Sequence, residues 1–304
     1  MNTAVSDAGS GLAALRHRSV ARRKAADLVI KVSSWIGALF GIGVMAFVVY
    51  EVIVRGIAAI SWGFFTQSTP QDFMSPSGGL ANAIVGTLLI TGVAALIAIP
   101  AGFFGGIYLA EFGRNGRVAT AVRMIANVVM GVPSIIVGVF AFAILVKPVS
   151  HYSGFAGSVA LAFIMLPVMA RTTEDIMNLV PNELRESGLA MGAPRWKVTL
   201  GVVCKAARGG LLTGATLAIV RVAGETAPLI FTALSSPYWI TGLFGPGGFF
   251  GGPVSNLTMT MFGFAGQPYP ELQQIAWGGA LVIIVAVLGM NILVRLLFQR
   301  GKEW

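Results

Sequence analysis

Charged residues in this chain are spaced so that long, almost uncharged apolar runs lie between them. Six runs stand out, bounded by Lys31 and Glu51, Asp72 and Glu111, Arg123 and Lys147, Lys147 and Arg171, Arg208 and about Ala233, and Glu271 and Arg295. A hydrocarbon core about 30 Å thick takes roughly 20 residues of α-helix to cross. In lipid a helix also satisfies its own backbone hydrogen bonds. The pattern therefore predicts an all-α integral membrane protein of six transmembrane helices. The first run, Val32 to Tyr50, exceeds the roughly 7–15 apolar residues of a cleaved leader and reads as a retained anchor.

Composition agrees: 56% of residues are hydrophobic and 11% charged, with a mean hydropathy of +0.80, which excludes an ordinary soluble domain. The net charge of +9 does not point to nucleic acid, because the basic residues alternate between the ends of the runs instead of forming one patch. One side collects Arg16, Arg18, Arg22, Arg23, Lys24 and Lys31, then Arg114, Arg117 and Arg123, then Arg171, Arg185, Arg195, Lys197, Lys205 and Arg208, and finally Arg295, Arg300 and Lys302. The other side has Arg55 and Lys147 alone. The positive-inside rule places the first set, and both termini, in the cytoplasm. Residues 1–31 read as a basic, mostly disordered cytoplasmic tail resting on anionic headgroups, and residues 32–304 as a six-helix transmembrane domain.

Two connections stand out. An outside loop of about residues 234–274 is rich in glycine and proline, carries no Lys or Arg, and holds Tyr238, Trp239, Phe244, Phe249 and Phe250, which argue for an ordered loop. Asn256-Leu257-Thr258 matches a glycosylation sequon there, a motif too frequent by chance to carry weight. The cytoplasmic connection of about residues 172–207 is amphipathic. Asn182 after Pro181 is suited to cap a short helix from Glu183, Gly192-Ala193-Pro194 should end it, and Trp196-Lys197 should open another.

No enzyme constellation is present: there is no phosphate-cradling Gly-x4-Gly-Lys motif, no His-Glu-x-x-His, and only His17 and His151 as histidines. A lone cysteine, Cys204, rules out internal disulfides and paired-cysteine metal sites. No catalytic residue, metal or cofactor is assigned to the chain itself. What remains is a pair of charges inside the fifth run, Arg221 and Glu225, at a spacing that lets helical side chains meet. A charge at mid-membrane costs about 2.5–3.5 kcal/mol even on the lenient scale. The pair is either an anion-binding point on a water-lined pathway or a neutralising ion pair that locks helices. Gly210, Gly214 and Ala218 share its face, which should turn both charges into protein. Arg171 ends the fourth run with Glu174 and Asp175 one turn on, and reads either as a pathway residue or as a snorkelling arginine paired to those neighbours. Pro133 in the third run is expected to kink it.

Several of these stretches together resemble a known family, the phosphate-specific ABC importer permeases, and among them the PstA-type subunit. Glu186-Ser187-Gly188 with Gly192 is similar to the cytoplasmic signature, a Glu with a Gly six positions later, that bacterial import permeases insert into their ATPase. The distal part of that signature departs here, reading Val202-Val203-Cys204-Lys205. Gly131-Val132-Pro133-Ser134-Ile135, Leu166-Pro167 through Arg171-Thr172-Thr173-Glu174, and Arg221 with Gly224-Glu225-Thr226-Ala227-Pro228 resemble the phosphate-specific members. The resemblance implies a type I importer fold and a pathway for inorganic phosphate at Arg221, Glu225 and Arg171. It also implies a coupling turn at Glu186, Ser187, Gly188, Gly192, Ala193 and Pro194. The partners it implies are a second permease of PstC type, two copies of an ATPase subunit binding ATP and Mg, and an extracytoplasmic phosphate-binding protein. Another oxyanion importer, for sulfate or molybdate, shares the turn. An ion-coupled secondary transporter is disfavoured by the turn and by the absence of an internal repeat.

Overall fold

The computed structural model describes residues 3–72, 78–113 and 116–299. Arg114, Arg300 and Lys302, which entered the charge reading, lie outside the described residues. The chain divides into two units, residues 1–54 and 55–304.

In the first unit one helix, α1 (Thr3–Ile57), carries the basic tail into the first apolar span without a break. The tail is thus helical where the sequence predicted little fixed structure. Between Leu12 and Ile36 it has neither Gly nor Pro, and Ala13, Ala14, Ala21, Ala25 and Ala26 are strong helix formers, so nothing local stops the helix.

The second unit runs through α2 (Trp62–Thr66), α3 (Ala81–Ile107), α4 (Arg117–Gly131), α5 (Ser134–Ala141), α6 (Gly154–Asn178), α7 (Asn182–Ala190), α8 (Arg195–Val198), α9 (Cys204–Ala223), α10 (Ala227–Thr232), α11 (Leu257–Ala265) and α12 (Pro270–Gln299). A π-helical turn, Tyr108–Gly113, extends α3, and another, Thr199–Val203, joins α8 to α9. Among the described residues five helices are long and apolar enough to cross a membrane, and six if α4 and α5 count as one broken span.

That broken span corrects the sequence reading, which expected a kink at Pro133. The two helices meet at 103°. Pro133 disfavours helical geometry at the residue before it, and Val132 is extended, with φ −72° and ψ 132°.

Helix α3 lies along α6, and glycines set their separation. A Cβ added at Gly106 would lie 2.5 Å from the Ala170 carbonyl oxygen, and one at Gly102 would lie 2.7 Å from Met169 Cβ. Without a hydrophobic drive between helices in lipid, close backbone approach is what holds them. Helix α9 joins α6 in the same way: a Cβ at Gly214 would sit 2.5 Å from Thr172 Cγ2, and one at Gly210 would sit 2.8 Å from Ile176 Cγ2. Ala98, Met165, Ala218 and Leu229 meet in the core so formed, and Phe249 and Val254 enter it from the glycine-rich segment. That segment is therefore only partly a surface loop. Asn256 is 1% exposed and caps α11, accepting a hydrogen bond from Met259 N at 2.9 Å, so the sequon asparagine has a structural role. Asn82, also buried, donates to the carbonyls of Ser236 and Pro237 and accepts from Thr69 N, tying that segment to the connection before α3.

Candidate functional site

Arg221 occupies the last turn of α9, and Glu225 follows the end of the helix. Gly224 closes α9 with its N–H on the Val222 carbonyl. Pro228 at the start of α10 has no N–H to continue the ladder. The two charges therefore flank a break instead of sharing a helix face, and among the described residues no ion pair joins them. The small-residue row holds as far as Gly214 and Ala218, both buried, whereas Arg221 is exposed. Its guanidinium has no side-chain partner among the described residues. Such a cation in an apolar span requires water, an anion or another chain beside it.

The second broken region meets this one. Helix α5, which follows the Pro133 break, packs on α10, and a Cβ at Gly138 would lie 2.6 Å from Pro228 Cα. Thr258 Oγ1 on α11 donates to the Glu225 carbonyl at 3.0 Å and steadies the segment after α9. Interrupted helices free backbone groups for a cavity at membrane depth. The Gly-Val-Pro-Ser and Gly-Glu-Thr-Ala-Pro stretches are thus the two ends of one packed junction.

Arg171 lies elsewhere. Thr172 packs on Gly214, and Arg221 is seven residues further along α9, so the two arginines are separated by about 10 Å along the helix pair. Glu174 holds Arg171: its Oε2 is 2.5 Å from Arg171 Nη1, while its Oε1 is 2.6 Å from Arg123 Nε on α4. Arg123 also donates to the Leu109 carbonyl at 2.9 Å. Asp175 Oδ1 is a looser 3.9 Å from Arg171. The helical spacing made Arg171 and Glu174 legible as neighbours. Arg123, 51 positions from Glu174, had no local signal.

Helices α7 and α8 carry the stretch from Glu186 to Pro194. Glu186 and Ser187 are exposed on α7. A Cβ at Gly188 would come within 2.9 Å of Val198 Cγ1, so glycine lets α8 fold against α7. Gly192 reverses the chain at φ +77°, a region that side chains avoid, and Ala193-Pro194 lead into α8. Helix α7 starts at Asn182, one residue earlier than predicted, and the Asn182 side chain accepts from Arg185 Nη1 at 3.4 Å instead of capping. Nor is α8 a separate helix, because it runs through the π turn into α9. A cavity of about 460 Å³ lies beside the segment, lined by Glu111, Arg185, Glu186 and Arg195 among others.

Residues 102–302 match the family described as binding-protein-dependent transport system inner membrane component. The chain is 41% identical over 288 residues to the phosphate transport system permease protein PstA of Yersinia pestis, covering 95% of each. It is 34% identical over 255 residues to the phosphate transport system permease protein PstA 1 of Mycobacterium tuberculosis H37Rv, covering 82% of this chain and 79% of that one. Among solved structures it resembles the inward-facing methionine ABC transporter MetNI at a TM-score of 0.60 and 19% identity, over 73% of this chain and 95% of that chain. A bacterial ABC transporter that imports alginate aligns at a TM-score of 0.56 and 14% identity, over 73% of this chain and 79% of that one. These likenesses define an ABC importer permease fold, so the chain belongs to the binding-protein-dependent transport system inner membrane components and, within them, to the PstA-type permeases.

Proposed function

We propose that this multi-pass inner-membrane chain is a permease subunit of an ATP-driven importer of inorganic phosphate. It works beside a second permease of PstC type, two copies of an ATPase subunit and an extracytoplasmic phosphate-binding protein, with both of its own termini in the cytoplasm. The observation that carries this reading is Arg221, a cation in an apolar span beside a helix break with no ion-pair partner among the described residues. A guanidinium offers a planar fork of donors that matches two phosphate oxygens. Glu225, just past the break, keeps the local charge balanced so that the anion binds weakly enough to leave. Arg171, tethered by Glu174, marks a second station on the same route. The relatives' names supply the substrate, and the α7 turn supplies the contact with the ATPase.

The test replaces both charges. If Arg221 served only to neutralise Glu225, the double substitution Arg221→Gln/Glu225→Gln would restore what Arg221→Gln destroys. The pathway reading expects phosphate uptake by an assembled complex to fall by roughly tenfold or more in Arg221→Gln and to stay low in the double variant. Uptake near the wild-type rate in the double variant, with normal co-purification of the partners, contradicts it.

A further inference from the structure

The segment of α7 next to the Glu186 signature is fastened to the ends of α3 and α6 by a buried side chain, Arg185. It is 9% exposed, while its neighbours Leu184 and Glu186 are exposed. Arg185 Nε donates to Glu111 Oε1 at 2.9 Å, and Nη2 lies 2.8 Å from the same oxygen. Glu111 stands on the π-helical turn that ends the α3 span, and its side chain is only 9% exposed. The rest of the guanidinium goes to the end of α6: Nη2 donates to the Met177 carbonyl at 2.7 Å, and Nη1 donates to the Val180 carbonyl at 2.5 Å.

Helix α6 ends at Asn178; Met177 O also accepts from Val180 N at 3.2 Å, and the Val180 carbonyl lies just past the helix end. A single planar donor group on α7 is therefore bonded to Glu111 at the end of the α3 span and to two carbonyls at and just past the end of α6. Lysine has no such fork. Glu186 and Ser187 leave α7 with an exposed face, which the proposed function assigns to the ATPase, and Arg185 is buried.

We propose that Arg185 is a positioning residue for coupling. Through Glu111 and the α6 carbonyls it makes α7, the π-helical end of α3 and the end of α6 move as one body, so that displacement of α7 by the ATPase reaches both spans. Loss of the fork leaves α7 packed on α8 at Gly188 and Val198 but joined to the ends of α3 and α6 only through the chain at Pro181, where displacement is absorbed locally. The inference rests on the reading of the chain as the permease of an ATP-driven importer.

The experiment uses the complete complex in proteoliposomes and measures phosphate taken up per ATP hydrolysed. The expectation is a fall of roughly tenfold for Arg185→Gln, a smaller fall for Glu111→Gln, which keeps an oxygen acceptor of the same shape, and little recovery in Arg185→Lys. A second readout does not depend on the substrate. On a Cys204→Ser background, spin labels are placed at exposed positions by Glu183→Cys on α7 and Phe104→Cys on α3. Their distance should stay narrow and unchanged on nucleotide trapping while the latch is intact, and broaden or shift in Arg185→Gln and in Glu111→Gln. An unchanged phosphate-to-ATP ratio together with an unchanged distance in either glutamine variant overturns the proposal. A wild-type complex that moves no phosphate but shows the latch-dependent distance overturns the substrate reading alone.

Discussion

Glu174 shows how a single residue organises charge at the membrane boundary. Its side chain is 4% exposed and accepts from two arginines on different helices, whereas Asp175 beside it is 65% exposed with one loose contact. Removing a buried acceptor that serves charged donors costs about 1–3 kcal/mol, and an exposed ion pair contributes at most about 1 kcal/mol. Thermal unfolding of the purified complex should therefore shift down clearly for Glu174→Gln and hardly at all for Asp175→Asn. Equal shifts would show that Glu174 is not the hub. The presence of ionisable groups here was readable from the chain, because charges at the end of an apolar run are conspicuous. Their pairing was not, since Arg123 reaches Glu174 only after α4 packs on α6.

At the scale of elements, hydropathy located the spans but not their breaks. Apolar residues continue through Val132-Pro133 and through Ala227-Pro228, so composition alone joins α4 to α5 and α9 to α10. What ends the helices is backbone chemistry at proline and at Gly224, and it also separates Arg221 from Glu225. Glycines in turn divide into those that hold helices together and those that do not. A side chain at Gly106 meets the α6 backbone, and one at Gly92 meets nothing within 4 Å. Gly106→Val should lower stability and expression of the complex, while Gly92→Ala should be neutral or slightly stabilising through helix propensity of about 1 kcal/mol. Similar losses in both would remove close α3–α6 packing as the reason. At the α7 turn, Gly192→Leu forces a side chain into left-handed geometry at a cost of about 1–2 kcal/mol. ATPase association or coupling should drop while the membrane helices still insert. Wild-type transport and ATPase stimulation in this variant would detach the turn from coupling.

Across the whole molecule, charge asymmetry predicts the orientation that the family's role as an importer requires. Tyr238, exposed in the glycine-rich segment, belongs outside, and Val20 in the basic tail belongs in the cytoplasm. On a Cys204→Ser background, an impermeant maleimide applied to intact cells should label Tyr238→Cys and spare Val20→Cys, and the reverse order would invert the topology. The fold class, the helical spans and the family were legible because lipid leaves the backbone few options and because the signature stretches are local in sequence. The junction between α5 and α10 and the attachment of α7 through Arg185 were not, since both depend on residues brought together by folding. The central claim is that this chain conducts phosphate under ATP control. Its most direct test is uptake of labelled phosphate into proteoliposomes containing the chain with its partner subunits. The account predicts ATP-dependent accumulation that a large excess of sulfate or molybdate leaves intact and that Arg221→Gln abolishes. Accumulation without ATP, or equal transport of sulfate or molybdate, would contradict it.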